Sequence, residues 1–296
     1  MNERTLRRLG ARLIWLAPMT MLGGCSWDLL DPQGSIGVQN LSTLTWATLL
    51  MLIVVIPVIV LTLAFAWRYR STNLAADYAP DWSHSNKIEV VIWLVPALIV
   101  ASLAVIAYKT THELDPYRPI ASAQKPLEVE VVALDWKWLF IYPEYGVASV
   151  NQLAMPVGRP VHFKITASSV MNSFFIPKLG SQIYAMAGMQ TQLSLVADKP
   201  GVFNGMSANF SGDGFADMRF KAVATDEAGF ESWVAKAKAG PALDMASYPL
   251  LARPSENDAV RTYGAVDPKL YDAILMQKIA PAAASTDPAH LPAHQE

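Results

Sequence analysis

From Leu41 to Trp67 no position is charged, a stretch long enough for about 40 Å of helix against a hydrocarbon core of about 30 Å. A second uncharged run, Val90 to Tyr108, follows a polar loop. The two predict transmembrane helices over about 41–67 and 88–108. Pro57 and Pro96 lie inside them, which is costly in water but tolerated in lipid, where neighbouring groups satisfy the freed backbone. Past about residue 125 the period changes to two. Leu127, Val129 and Val131 alternate with Glu128 and Glu130, and Val161, Phe163 and Ile165 with His162 and Lys164, the mark of half-buried strands. Further strands are expected at Thr191–Ala197, Val202–Met206 and Met218–Ala224, with Pro or Gly between them at Pro143, Gly158, Gly180, Pro200 and Gly212. Many short strands with frequent turns predict an all-β sandwich or Greek-key barrel. Residues 225–238 read as an amphipathic helix with Thr225 as cap, acids at Asp226 and Glu227, an apolar face of Phe230, Trp233 and Val234, and Lys236 and Lys238 at its end. Beyond Gly240 the chain is rich in Pro and Ala, with weak helix expected near 267–279 and a disordered tail after Pro281.

Ahead of the spans, Arg4, Arg7, Arg8 and Arg12 precede the mostly apolar run Leu13–Gly24, the charged and apolar regions of an export signal. That run ends Leu22-Gly23-Gly24-Cys25 and resembles the bacterial lipobox, which implies cleavage before Cys25 and its diacylation; the alternative is an uncleaved anchor with an incidental cysteine. An exported Cys25 places the start of the first span outside, the loop 68–87 in the cytoplasm and everything after Lys109 outside again. Arg68, Arg70 and Lys87 in that loop agree, with Asp77 and Asp81 reducing the asymmetry.

The composition is 52% hydrophobic and 16% charged with a net charge of -2, which fits a membrane component and offers nucleic acid no basic surface. Cys25 is the single cysteine, so no intrachain disulfide and no site needing two thiolates can form. No Ser/His/Asp or Cys/His constellation suggests hydrolysis.

Several segments are long enough to carry a resemblance: Asp135-Trp136-Lys137-Trp138 with Tyr142-Pro143-Glu144, then Val170-Met171-Asn172-Ser173-Phe174-Phe175-Ile176-Pro177, then Gly180-Ser181-Gln182-Ile183-Tyr184-Ala185-Met186-Ala187-Gly188-Met189. Together with lipobox, spans and β-domain they resemble subunit II of the haem-copper oxidases over roughly residues 25–280, and in particular the quinol-oxidising, cytochrome bo-type branch. The resemblance implies a two-helix hairpin, an exported cupredoxin-like Greek-key barrel and a helical C-terminal extension. The organisation it suggests is signal 1–24, membrane region 25–111, barrel 112–225, extension 226–280 and tail 281–296. It implies a bacterial inner-membrane location with the barrel in the periplasm. It also implies a catalytic subunit I that houses the haems and one copper and oxidises ubiquinol, smaller membrane subunits as further partners, and lipid around the spans.

In the cytochrome c-oxidising branch this domain holds a dinuclear copper centre, using a His before a Ser-Phe pair and a later Cys-Ser-Glu-x-Cys-Gly-x-x-His-x-x-Met stretch. Laid on Gly205 to Met218, the frame is kept while the ligands are not. The early His is Asn172, the two Cys are Ser207 and Ser211, the Glu is Asn209 and the late His is Phe215; Met218 alone remains. Alcohols and a lone thioether do not replace thiolate and imidazole as copper donors, so no cofactor is expected in this chain. His84, His112, His162, His290 and His294 are read as solvated structural residues.

Glu89 stands at the cytoplasmic start of the second span, where a charge facing protein is often functional. The resemblance implies a proton-channel entrance there; a capping box from Asn86 to Glu89 is the plainer role and is compatible with it. Trp136 and Trp138, two apart, would face the same way on a strand and pack against subunit I or the barrel core. The run Met186–Met189 is expected to be buried loop packing. The leading reading is a non-redox subunit of a proton-pumping ubiquinol oxidase. A free-standing lipoprotein binding module and a copper-bearing cytochrome c oxidase subunit are the alternatives.

Overall fold

The computed structural model describes residues 28–77, 79 and 81–280; the signal segment, Cys25 and the tail from 281 lie outside them. Two long helices, α1 (Ser35–Arg68) and α2 (Asn86–Glu113), form the hairpin. Both overrun the expected spans, α1 by six residues at its start and α2 by five at its end. Helical backbone satisfies itself, so it continues past the uncharged runs into polar positions, where Asn40 donates to Ser181 Oγ at 3.0 Å and His112 Nδ1 lies 2.7 Å from the Tyr108 carbonyl. At 34 residues, α1 is about 51 Å long. Both are long and apolar enough to cross a membrane, and within them only Gly37 and Ile99 are buried. A surface of Leu, Ile, Val and Phe on that scale calls for lipid or another subunit around it.

The start of α1 is fastened to the β-domain by its backbone. The Gln33 and Gly37 amides donate to the Lys178 and Leu179 carbonyls at 2.8 and 3.0 Å, and the Asp198 amide donates to the Gln33 carbonyl at 2.8 Å. A Cβ on Gly34 would lie 2.3 Å from the Val196 carbonyl oxygen, so this close approach requires glycine. Lys178 adds ion pairs to Asp31 at 2.9 Å and Asp28 at 3.8 Å. Its hydrogen bond holds the Asp31 carboxyl below the usual range. The β-domain therefore sits at the end of the hairpin where α1 begins and α2 ends, and the loop between the helices points away from it.

In the domain, β1 (Leu127–Leu134), β2 (Lys137–Tyr142), β3 (Val147–Val150), β5 (Val161–Ala167) and β8 (Thr191–Leu195) belong to a six-stranded sheet; its edge is β12 (Arg261–Tyr263), giving the order β12-β3-β2-β1-β5-β8. The facing sheet runs β4-β10-β9-β6-β7, from β4 (Gln152–Pro156), β10 (Arg219–Thr225), β9 (Gly201–Ser207), β6 (Asn172–Phe175) and β7 (Ile183–Ala185). β1 is antiparallel to β2 and parallel to β5, and β10 is parallel to β4. Parallel neighbours need crossovers rather than hairpins, which the chain makes by switching sheets, as the expected Greek-key topology requires. The alternation read from the sequence points Leu127, Val129, Val131, Phe163 and Ile165 into the core, where Trp138, Phe140, Phe174 and Phe220 cluster. Phe174 and Phe220 stack with centroids 5.2 Å apart.

The extension 226–280 adds strands to its helices. After α3 (Glu227–Ala237) come β11 (Ala242–Leu243), the short helix α4 (Tyr248–Leu251), β12, β13 (Ala265–Val266) and α5 (Leu270–Leu275). The cap of α3 is Asp226, whose carboxylate accepts from the Gly229 amide at 2.9 Å; the expected cap, Thr225, ends β10 instead. A second core forms as Tyr248, Leu251, Leu270, Tyr271 and Ile274 cover Val132, Leu134, Leu139 and Ile141. β2 is consequently buried on both faces, which explains its continuous apolar run.

Candidate functional site

β6 begins at Asn172 and β9 ends at Ser207, on antiparallel neighbours in register through Phe174 and Ser207. Their side chains meet, the Ser207 hydroxyl 3.1 Å from Asn172 Oδ1 and 3.2 Å from the Asn209 carbonyl. Ser207 Oγ in turn accepts from the Ser173 amide at 3.4 Å. Both residues are buried, at 1% and 4% exposure. Asn209 Nδ2 lies 3.2 Å from the carbonyls of Met171 and of Phe210, spending its donors on the backbone. The loop from 208 to 217 then folds back so that the Ser207 amide donates to the Met218 carbonyl at 3.1 Å. Ser211 Oγ is 4.0 Å from Met218 Sδ, and Met218 is buried. Phe215 sits edge-on to Phe210 with centroids 5.5 Å apart.

All six positions picked from the sequence thus lie on or beside one loop end, and their polar atoms are used by each other and by the backbone. The donors present are two amides, two alcohols and a thioether, with a phenyl ring at the sixth position. Among the described residues no group of three or more His, Cys, Asp or Glu is placed to hold a metal ion. An arrangement of this kind does not offer the thiolates and imidazoles a copper pair needs.

Trp136 closes the loop from outside. It lies in the turn before β2, its indole N–H donating to the Ser211 carbonyl at 3.0 Å, with Gly212 and Gly214 against its ring. A Cβ on Gly214 would fall 2.6 Å from that ring. Trp138 is fully buried in the barrel core, 5.4 Å from Phe174 and 5.7 Å from Phe220. The two indoles therefore do not share a strand, because the chain is still turning at Asp135 and Trp136.

Sequence reasoning passed over Lys137 between them. Its residue is 1% exposed, and its ammonium lies 3.2 Å from Asp258 and donates to the Arg253 carbonyl at 2.7 Å and to Ser255 Oγ. Burial pushes this lysine down from its ordinary value while the Asp258 hydrogen bond opposes the shift. A lysine inside an otherwise apolar strand was the available signal.

Glu89 is exposed in the first turn of α2. The expected capping box is not formed: the cap residue is Ser85, without a side-chain bond, and the Glu89 amide donates to the Ser85 carbonyl at 2.9 Å. This one-residue shift puts Ile88 at the third helical position, so the Glu89 carboxylate is left facing outward. Glu89 and Glu113 are separated by about 36 Å of helix, so Glu89 and the β-domain are at opposite ends of the hairpin. Among the histidines, His84 and His112 are exposed. His162 lies 3.2 Å from Ser194 Oγ, with burial lowering its pKa; His290 and His294 are outside the described residues. Of the methionine run, Met189 is 56% exposed rather than buried, because it follows the positive-φ turn at Gly188.

The family described as Cytochrome C oxidase subunit II, periplasmic domain, matches residues 144–224, and the COX Aromatic Rich Motif matches 237–281. The chain is 58% identical to cytochrome bo(3) ubiquinol oxidase subunit 2 of Pseudomonas aeruginosa over 90% of its length and 81% of the relative. It is 55% identical to ubiquinol oxidase subunit 2 of Acetobacter aceti over 93% of its length and 90% of the relative. The periplasmic domain of subunit II of cytochrome oxidase of Bradyrhizobium japonicum, a solved structure, is 25% identical and matches with a TM-score of 0.37 over 40% of this chain and 98% of its own.

Proposed function

The chain belongs to the subunit 2 family of haem-copper ubiquinol oxidases, and on that premise we propose that it is the non-redox subunit of an inner-membrane, proton-pumping oxidase. Subunit I then houses the haems and one copper, oxidises ubiquinol, reduces oxygen to water and pumps protons. This chain assembles with subunit I and covers it, with its barrel in the periplasm, its spans among smaller membrane subunits and lipid, and Cys25 acylated. Membership in an oxidoreductase complex follows from the family; the absence of an electron-entry centre is the step beyond it.

The observation that carries this step is the loop end around Ser207. A hydroxyl keeps its proton at neutral pH, whereas a copper pair needs thiolate. Asn172 and Ser207 are buried and already satisfied by one another. Lacking a first stop for a one-electron carrier, the complex takes a membrane-soluble two-electron donor straight into subunit I. The same donors disfavour a cytochrome c oxidase subunit, and family membership disfavours a solitary lipoprotein module. Support for a proton-channel role comes from Glu89, whose carboxylate is free of the expected cap and stands at the hairpin end away from the barrel.

Side-by-side oxygen consumption by the purified complex tests the donor. Short-chain ubiquinol is expected to sustain turnover and reduced cytochrome c to add nothing above background. Faster oxidation of cytochrome c than of ubiquinol would overturn the reading.

A further inference from the structure

At the junction of hairpin and β-domain, a cavity of about 320 Å³ is lined by Gln39, Glu113, Asp115, Arg118 and Ser194 among others. A second, of about 190 Å³, continues between the helices past Ser42, Thr43, Trp46 and Ile106. The two share Gln39, Glu113 and Leu114, so they form one cleft, polar where it meets the domain and more apolar toward Trp46.

Helix geometry sets its depth. Glu113 lies five residues past Tyr108, the last of the uncharged run, or about 7 Å along the axis, which is the thickness of the head-group layer. From Ser35 to Trp46 the cleft descends about 16 Å, reaching hydrocarbon. At its mouth Glu113 and Arg118 are largely unspent, while one oxygen of Asp115 accepts from the Tyr117 amide at 3.0 Å. Among the described residues Glu113 makes no ion pair or side-chain hydrogen bond, and Arg118 reaches only the His112 carbonyl, at 3.4 Å. In the cleft below, Thr43 and Thr110 return their hydroxyls to carbonyls of their own helices, leaving that part suited to an alkyl chain.

We infer that this cleft binds one phospholipid with an amine head group from the periplasmic leaflet, its phosphate on Arg118, its ammonium on Glu113 and Asp115, and one acyl chain between α1 and α2. Charge complementarity selects the class, because a purely anionic head group would bring its charge against two carboxylates, whereas a zwitterion satisfies both signs. The position selects the source, since the mouth of the cleft is level with the lipid head groups.

The assembled complex, reconstituted in nanodiscs with phosphatidylethanolamine carrying a photoreactive group on its acyl chain, gives the test. Mass spectrometry is expected to find label on segments 35–46 and 106–118, diluted by unlabelled phosphatidylethanolamine and not by phosphatidylglycerol. Labelling should fall about fivefold in Arg118→Gln and in Glu113→Gln, the size of one partly exposed charge contact, and be retained in Arg118→Lys, with haem content confirming assembly throughout. Absence of label from both segments, equal competition by phosphatidylglycerol, or unchanged labelling in both neutral variants would overturn the inference. So would label that enters only in Cys25→Ala, which would assign the cleft to the chain's own acyl groups.

Discussion

Replacing Lys137 with methionine keeps the stem of the side chain and removes the ammonium that ties the C-terminal extension to β2. The two ends of this tie are not equivalent. The lysine side chain is 2% exposed and that of Asp258 15%. Asp258 also pairs with Arg261 at 2.9 Å and accepts from Ser255 Oγ at 2.9 Å. Despite burial, the hydrogen bonds from Ser255 and Lys137 keep its carboxyl below the usual range. In Lys137→Met the carboxylate keeps Arg261 and Ser255, so the loss is one charged hydrogen bond and a stranded Arg253 carbonyl, about 1–3 kcal/mol. In Asp258→Ala a buried ammonium retains only neutral acceptors, and the cost approaches the about 3–5 kcal/mol of a broken buried pair. The double variant should recover part of that loss. Trypsin cleavage within the extension, after Arg261 in the assembled complex, reads the opening equilibrium when reclosing is fast. Asp258→Ala is expected to be cut about tenfold faster than Lys137→Met, each about 1.4 kcal/mol of difference giving a factor of ten. Equal rates, or the reverse order, would refute the assignment of Lys137 as the buried charge that depends on Asp258.

Three further outcomes are expected. Glu89→Ala should slow proton-coupled turnover several-fold in a complex that still assembles, and unchanged turnover would remove Glu89 from the proton path. Glu130 is pushed up to about 7 by burial, against the pull of Lys164. Its folded value thus lies above its unfolded one, so it favours the folded state at low pH and loses that contribution as pH rises from about 4.5 through 7. Glu130→Gln should therefore strengthen protection of α5 amides at pH 8 by about 1–2 kcal/mol, after allowance for partial exposure, and by about a quarter of that at pH 5; hydrogen exchange in the assembled complex measures both. Gly214→Ala drives a methyl into the Trp136 ring and should lower the thermal stability of the complex by the equivalent of about 1–3 kcal/mol, while an unchanged melting profile would show that the loop does not pack as described.

The spans and the inward face of the barrel were legible because each follows a single period, uncharged helix in one case and alternation on β1 and β5 in the other. The candidate site was legible by a different route: Asn172, Ser207, Asn209, Ser211, Phe215 and Met218 were located through a family frame, and what the sequence lacked was their mutual hydrogen bonding. Lys137 escaped because its partner lies more than a hundred residues away, and no local pattern announces a tie of that length. The capping of α2 and α3 was each misplaced by one residue, since Ser85 and Asn86, or Thr225 and Asp226, are equally good caps until tertiary packing fixes where the helix begins. The strands of the extension were missed because β12 is only three residues long and takes its pairing from β3 rather than from its own composition.

The central claim is that this subunit carries no redox metal. Its most direct test is copper and haem analysis of the detergent-purified complex, with electron paramagnetic resonance of the oxidised enzyme. Copper accounted for by the single site of subunit I, with no mixed-valence dinuclear signal, is the predicted result. Two additional coppers with such a signal, lost when Met218 is replaced by leucine, would contradict it.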